Sequence, residues 1–259
     1  MRVLADTHVH FYPFYDLELW LRSAFLNFNS NIRRLGISPE PHKVIFLTER
    51  ADCDFFSELK SKRNFLDYNF EQVDPLIVKV QNKNDQLFIV SGKQVVTKEK
   101  LEVLVLLSDI KFVDGEGIGD FLASKQTEDN IFVLPWSLGK WYFQRGKIVK
   151  NIINNSQENQ IYLGDIASRP NLYPEPNLFE LAKNKRISIV AGSDPLPISG
   201  EETLVGSYLT LMTSEDNNLN AKNLKNAFKR VENVVGHRLS FLKVACRLYK
   251  NNQVRRIKS

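Results

Sequence analysis

Arg2-Val3-Leu4-Ala5-Asp6-Thr7-His8-Val9-His10 decides how the rest of the chain is read. The first four residues form a short apolar run of the kind that makes a buried strand. The run then meets an aspartate and two histidines spaced two apart. In extended backbone, residues i and i+2 project to the same side, so His8 and His10 converge at the end of the first strand. Neutral imidazole is a common ligand for zinc and similar metals. Histidine is scarce, with four in the whole chain, which makes the pairing more pointed.

Short apolar runs alternate with helical patterns along most of the chain. The spacing predicts strands at 2–5, 44–48, 76–80, 87–91, 101–106, 131–134, 161–164 and 187–191. Helices are predicted over 16–34, 53–59, 117–124, 147–157 and 177–183. Strand–helix–strand repetition implies a mostly parallel sheet or barrel. Between 74 and 107 the strand candidates leave little room for helices, so a hairpin-like excursion is expected there. A second aspartate closes a late apolar run, Ile189-Val190-Ala191-Gly192-Ser193-Asp194. It could ligate a metal or take a proton, or it could cap a turn with Pro195 and Pro197.

Composition sets outer limits. The chain has 259 residues, 43% hydrophobic and 25% charged, an ordinary globular balance. One domain spanning 1–259 is expected, since α/β barrels of this length are routinely single. Cys53 and Cys246 are too few for a disulfide framework, and the N-terminus has no apolar leader. A cytoplasmic protein follows as the expectation. The longest purely apolar stretches are about five residues, far short of a membrane span.

The net charge of +5 conceals an asymmetry: residues 222–259 hold eleven Lys and Arg against the single acid Glu232. Leu224, Phe228, Val231, Val235, Leu239, Leu242, Cys246 and Tyr249 recur at helical spacing. They predict an amphipathic C-terminal helix over 221–250, docked by that stripe, with Asn220 as its cap and a bend at Gly236. A basic tail, 251–259, follows and could contact an acidic partner.

A first strand ending in DTHVH and a late one ending in GSD resemble the polymerase-and-histidinol-phosphatase (PHP) superfamily and the related amidohydrolases. Ser91-Gly92-Lys93-Gln94 before Leu101–Leu104, and Leu134-Pro135-Trp136 before Gly139, are similar to further family segments. The likeness runs through about residues 1–210. It implies a distorted β/α barrel carrying a divalent metal, zinc or manganese, and a hydrolase using metal-activated water.

The chain departs from the family pattern in three places. Gln94 stands where the family has a metal-binding glutamate. Thr48 and Glu49 stand where it has a histidine, and Asp194 is followed by Pro195 and Leu196 rather than by a histidine motif. One metal is therefore expected, on His8, His10 and Asp194, with help from Glu49 or Asp165. His42 falls at the wrong end of its strand, and His237 lies in the terminal segment.

Asp194 and Asp165 are the candidate catalytic carboxylates. Lys140, Arg145 and Arg169 follow predicted strands and could hold a substrate anion; Asp165 and Arg169 could equally pair with each other. Trp136, Trp141 and Tyr142 surround the basic loop and could stack on a ring or simply pack. Glu201 and Glu202 are expected to cap a helix over 205–211. The implied reaction is hydrolysis of a phosphate ester or amide-like bond in a small anionic molecule, with nucleic acid not expected as a partner. The alternative is a scaffold or binding protein that has kept the fold and lost the ligands.

Overall fold

The computed structural model of the chain describes residues 1–125 and 130–258, apart from the side chains of 255–258. In chain order the elements are β1 (Arg2–Val9), α1 (Leu17–Leu35), β2 (His42–Glu49), α2 (Phe55–Ser61), β3 (Asn64–Phe65), β4 (Tyr68–Asp74), β5 (Ile77–Gln81) and β6 (Gln86–Val96). There follow β7 (Glu102–Leu106), α3 (Ile118–Lys125), β8 (Ile131–Pro135), α4 (Phe143–Asn155), β9 (Tyr162–Ile166), α5 (Asn177–Asn184) and β10 (Ile189–Gly192). A 3₁₀ turn (Glu201–Leu204), β11 (Tyr208–Thr213), α6 (Ala221–Phe228), β12 (Val231–Gly236) and α7 (Phe241–Lys258) complete the described residues. Among them no helix is long and apolar enough to cross a membrane.

The sheet runs β10-β9-β8-β7-β6-β2-β1-β11-β12. Pairing is parallel along β1, β2 and β6, and again along β8, β9 and β10. It is antiparallel on both sides of β7 and of β11. All the parallel strands consequently end on one face of the molecule. The expected excursion is present: β3, β4 and β5 form an antiparallel meander, and β5 pairs with the first half of β6.

The sheet is barrel-shaped and nearly closed, because β10 lies against β1 and β11. Thr7 Oγ1 donates to the Ala191 carbonyl, and the Ala191 N–H donates to Thr210 Oγ1 at 2.6 Å. Gly192 permits this approach, since a Cβ there would lie 2.5 Å from the His8 backbone nitrogen. The architecture is thus a mixed α/β fold with a distorted barrel.

Two apolar layers fix the position of each strand. Val3, Ala5, Phe46, Val90, Leu104, Val133 and Met212 pack inside the barrel. Leu4, Ile45, Leu47 and Ile89 face outward against Trp20, Leu21, Phe25 and Phe28 of α1. Asp16 caps α1 by accepting the Leu19 N–H, and Gly36 ends it in left-handed backbone. Phe228 of α6 plugs the floor, its ring 5.4 Å from Phe46 and 5.3 Å from Tyr162.

The C-terminal region differs most from expectation. No single helix covers 221–250. Asn220 does cap a helix, accepting the Asn223 N–H, but α6 ends at Phe228. Val231-Glu232-Asn233-Val234-Val235 is rich in β-branched residues, favours extended backbone and pairs with β11. Gly236 is a full break at φ 103°, and a Cβ there would meet the Ser207 carbonyl oxygen at 2.1 Å. α7 then turns Val244, Arg247 and Asn251 inward and leaves Phe241, Leu242 and Tyr249 exposed, so the predicted stripe does not dock it. Residues 205–211, expected as a helix, lead into β11 instead. Of the basic tail 251–259, Ser259 and the side chains of 255–258 lie outside the described residues.

Candidate metal centre

A bulge in β1 aims the two histidines. Between Asp6 and Val9 the strand advances three residues while β2 advances two, from Ile45 to Leu47. One extra residue reverses the alternation, and His8 and His10 turn inward after Val3 and Ala5. They are 3% and 5% exposed. Their Nε2 atoms lie 3.1 Å apart, and each is 3.6 Å from Asp194 Oδ1. Gln94 reaches in from β6 and places Oε1 3.1 Å from His8 Nε2.

The donor set fits a cation. Among the described residues, His8, His10 and Asp194 form the one group of three or more His, Cys, Asp or Glu close enough to share an ion. Metal–nitrogen bonds of about 2.0–2.1 Å in a tetrahedron set neighbouring ligand atoms about 3.4 Å apart. The observed separations of 3.1 and 3.6 Å bracket that value. Gln94 Oε1 and Asp194 Oδ1 can only accept, and the two imidazole nitrogens bring at most one proton each. Burial, reinforced by His8, lowers the His10 pKa to about 3, so its ring is neutral and free to coordinate. His8 Nδ1 is buried with no hydrogen-bond partner among the described residues.

Asp194 sits in left-handed backbone at φ 47°, a conformation that aspartate tolerates better than most residues. Its N–H donates to the His8 carbonyl at 2.8 Å. Burial pushes its carboxyl up, but the fields of His8, His10, Arg247 and Lys140 outweigh burial and hold it below the usual range. Arg247 reaches over from α7. Its Nη2 donates to the Asp194 carbonyl at 3.0 Å, its Nη1 to Ser168 Oγ at 2.6 Å, and its Nε to Glu201 at 2.8 Å. Glu201 in turn accepts the Leu196 N–H at 3.1 Å, so the loop carrying Asp194 is gripped on both flanks.

Asp6 supports the site from the other side of β1. It accepts the N–H groups of Ser193 and Gly206, each at 2.8 Å. Burial raises its pKa to about 7 against the opposing pull of those bonds.

The remaining expected residues divide by the side of the sheet they face. Glu49, expected as a ligand, is not brought to the cluster. It points outward, accepts the Phe56 N–H at the start of α2 at 2.9 Å, and pairs with Lys93 at 2.6 Å. Asp165 is held by Arg169, at 2.7 and 2.6 Å, and by the Tyr208 hydroxyl at 2.7 Å. The pairing alternative therefore describes Asp165 and Arg169, and neither reaches the histidines. Lys140 pairs with Glu102, with its field reaching Asp194. Arg145 donates to the Gly139 carbonyl at 2.9 Å and has no carboxylate partner among the described residues.

Glu202 accepts the Gly200 N–H at 2.8 Å and Glu201 serves Arg247; neither caps a helix over 205–211, since that segment leads into β11. Trp136 and Trp141 are buried in the outer core. His42 opens β2, at the end of the barrel away from the cluster, and His237 follows β12. Sequence reasoning missed Arg247, Glu201 as its partner, and the supporting part of Asp6. Asp6 alone carried a signal, as the first residue of DTHVH.

No protein-family profile and no curated protein matches the chain. Solved structures do share its fold. PsfC from Pseudomonas syringae PB-5123 is 13% identical with a TM-score of 0.56, over 100% of this chain and 99% of that one. The lesion-specific endonuclease PfuEndoQ from Pyrococcus furiosus is 11% identical with a TM-score of 0.54. An endonuclease Q complex with a 27-mer duplex substrate, an abasic lesion at its active site, is 12% identical with a TM-score of 0.53. The chain spans 58% of the length of each endonuclease Q chain, with 90% of its own residues.

The likeness is one of fold. It supports a mixed α/β fold with a distorted barrel and selects no family. It also corrects one expectation. Nucleic acid was not expected as a partner, yet two of these similar structures are endonucleases, one solved on duplex substrate.

Proposed function

We propose that this chain is a metal-dependent hydrolase that cleaves phosphodiester bonds in nucleic acid with one divalent ion, zinc or manganese. The observation that carries this reading is the convergence of His8, His10, Asp194 and Gln94 on one point at the strand-end face, where α/β barrels build their sites. Nucleic acid as the substrate rests on the endonuclease Q likeness, and phosphate as the scissile group follows from it.

The side chains divide the work. His8 and His10 offer ring nitrogens, Asp194 the one carboxylate, and Gln94 a carboxamide oxygen. A divalent ion there would supply activation of water and polarisation of the phosphate. Asp194 would also accept a proton at its second oxygen. Arg145, with its charge unpaired, and Lys140, shared with Glu102, would steady the substrate phosphate at the mouth. Asp165 and Arg169, neutralising one another, would hold the wall rather than the substrate.

A binding protein without catalysis is the second reading. The observation favouring it is that Glu49 and Asp165 are both consumed by buried cations, leaving a single carboxylate at the centre. Elemental analysis of the purified chain, followed by incubation with a labelled duplex carrying one abasic site, separates the two. About one ion per chain and strand cleavage abolished in His8→Ala supports the hydrolase. Metal without cleavage favours the binding protein, and no metal at all removes the hydrolase reading.

A further inference from the structure

On the outer wall of the barrel, between α1, the turn before β11 and the start of α7, lies a hollow of about 290 Å³. It shares no residue with the metal cluster. α1 packs on the outward side of β1, whereas His8 and His10 face inward, so the sheet separates the two places.

The charge on its lining is one-sided. Arg34, Arg238 and Lys243 line it together with His237, and no Asp or Glu does. None of these cations is in an ion pair among the described residues. Arg34 donates to the Asn31 side chain at 3.2 Å, and Arg238 to the Asn171 carbonyl at 3.1 Å. Those partners are neutral and leave the positive charge in place.

A further feature points the same way. α7 begins at the hollow, after Ser240, and has no acidic residue in its first turn, so its free N–H groups and dipole add to the positive potential.

We propose that this hollow is a second anion site that takes a phosphate group, with Arg34 and Lys243 as its charged contacts. Arg34 offers parallel donors to the oxygens and Lys243 a point charge. The site stands independently of the hydrolase reading.

The test is titration of the full chain with inorganic phosphate, followed by calorimetry. The proteins are wild type, Arg34→Ala/Lys243→Ala and His8→Ala. Both replaced cations are exposed, and thermal melting checks that the fold persists. The double variant should bind phosphate about tenfold or more weakly, with His8→Ala unchanged. Loss in His8→Ala with the double variant intact would place the anion at the metal centre and overturn the proposal. Equal binding by all three would overturn it as well. A second titration with a short oligothymidylate identifies the source of the phosphate. Loss of both ligands in the double variant supports the site as a contact to a nucleic-acid backbone. Loss of inorganic phosphate alone supports it as a site for a small phosphate compound.

Discussion

Asp165 and Asp194 close neighbouring parallel strands, β9 and β10, and the structure gives them opposite surroundings. Asp165 meets Arg169 four residues on, with the Tyr208 hydroxyl beside it. Its charge is spent on holding the wall. Asp194 meets two imidazoles, each 3.6 Å from its Oδ1, and the cations near it bind its backbone or stand at a distance. An aspartate at a strand end becomes available for chemistry when no guanidinium can fold back onto its oxygens. Pro195 and Pro197, after Asp194, leave no such local partner.

The sharpest way to break this comparison is to exchange what each carboxylate loses. Asp194→Asn keeps the side-chain shape and the tolerance for φ 47°, and removes only the charge. Metal affinity should fall by more than about 100-fold, beyond what outer-shell changes cost, with little change in melting temperature. Asp165→Ala should do the reverse. It leaves the guanidinium of Arg169 buried and unpaired, at a cost of about 3–5 kcal/mol, while metal affinity holds. Chelator competition and urea unfolding on both variants measure this. Two variants that lose metal equally would make Asp165 part of the centre.

Arg247 offers a gentler break. It fixes Asp194 through the carbonyl and Glu201 through a bidentate pair, while Val244 docks the same helix by packing alone. Arg247→Lys keeps the charge but cannot span Glu201, Ser168 and the Asp194 carbonyl together. Metal affinity should fall about 10–100-fold. Val244→Ala should lower stability and leave metal affinity in place. If both variants lose metal in proportion to stability, Arg247 matters only as part of helix docking.

The same contrast shows what the sequence can announce. β1 was legible because a run of apolar residues, a change to DTHVH and the scarcity of histidine all agree. The inward aim of His8 and His10 was not, since the bulge that turns them arises from pairing with β2. Glu49 looked available because its position along β2 was right, but strand alternation sends it to α2. The C-terminal stripe failed for a related reason. Spacings of three and four fit a helix, yet Val231–Val235 lie beside β11, and pairing with that strand overrides the period. Arg247 was invisible because its acceptors lie 46, 53 and 79 residues away. Local pattern carries elements; contacts between distant segments set their direction.

The smallest effect concerns Asp6, a third aspartate near the same centre, whose pKa moves opposite to that of Asp194. Burial raises Asp6 from 3.8 to about 7. Between about pH 4 and pH 7 the folded chain therefore keeps a proton that the unfolded chain has released. Its contribution to stability is greatest at low pH, declines through that window and is flat above it. Asp194, held below its ordinary value, contributes stability that is present above about pH 4 and is lost on acidification. Its change lies outside the Asp6 window, so the two can be read separately. The lowered pKa of His10, about 3, adds an opposing rise through nearly the same window in both proteins, so the readout is a difference: Asp6→Asn, neutral at every pH, should gain stability relative to wild type as pH rises from about 4 to about 7 in the metal-free protein. The urea midpoint measured at half-unit steps is the readout. A difference between the two proteins that stays constant from about pH 4 to about pH 7 would mean that the N–H groups of Ser193 and Gly206 outweigh burial and keep Asp6 ionised throughout.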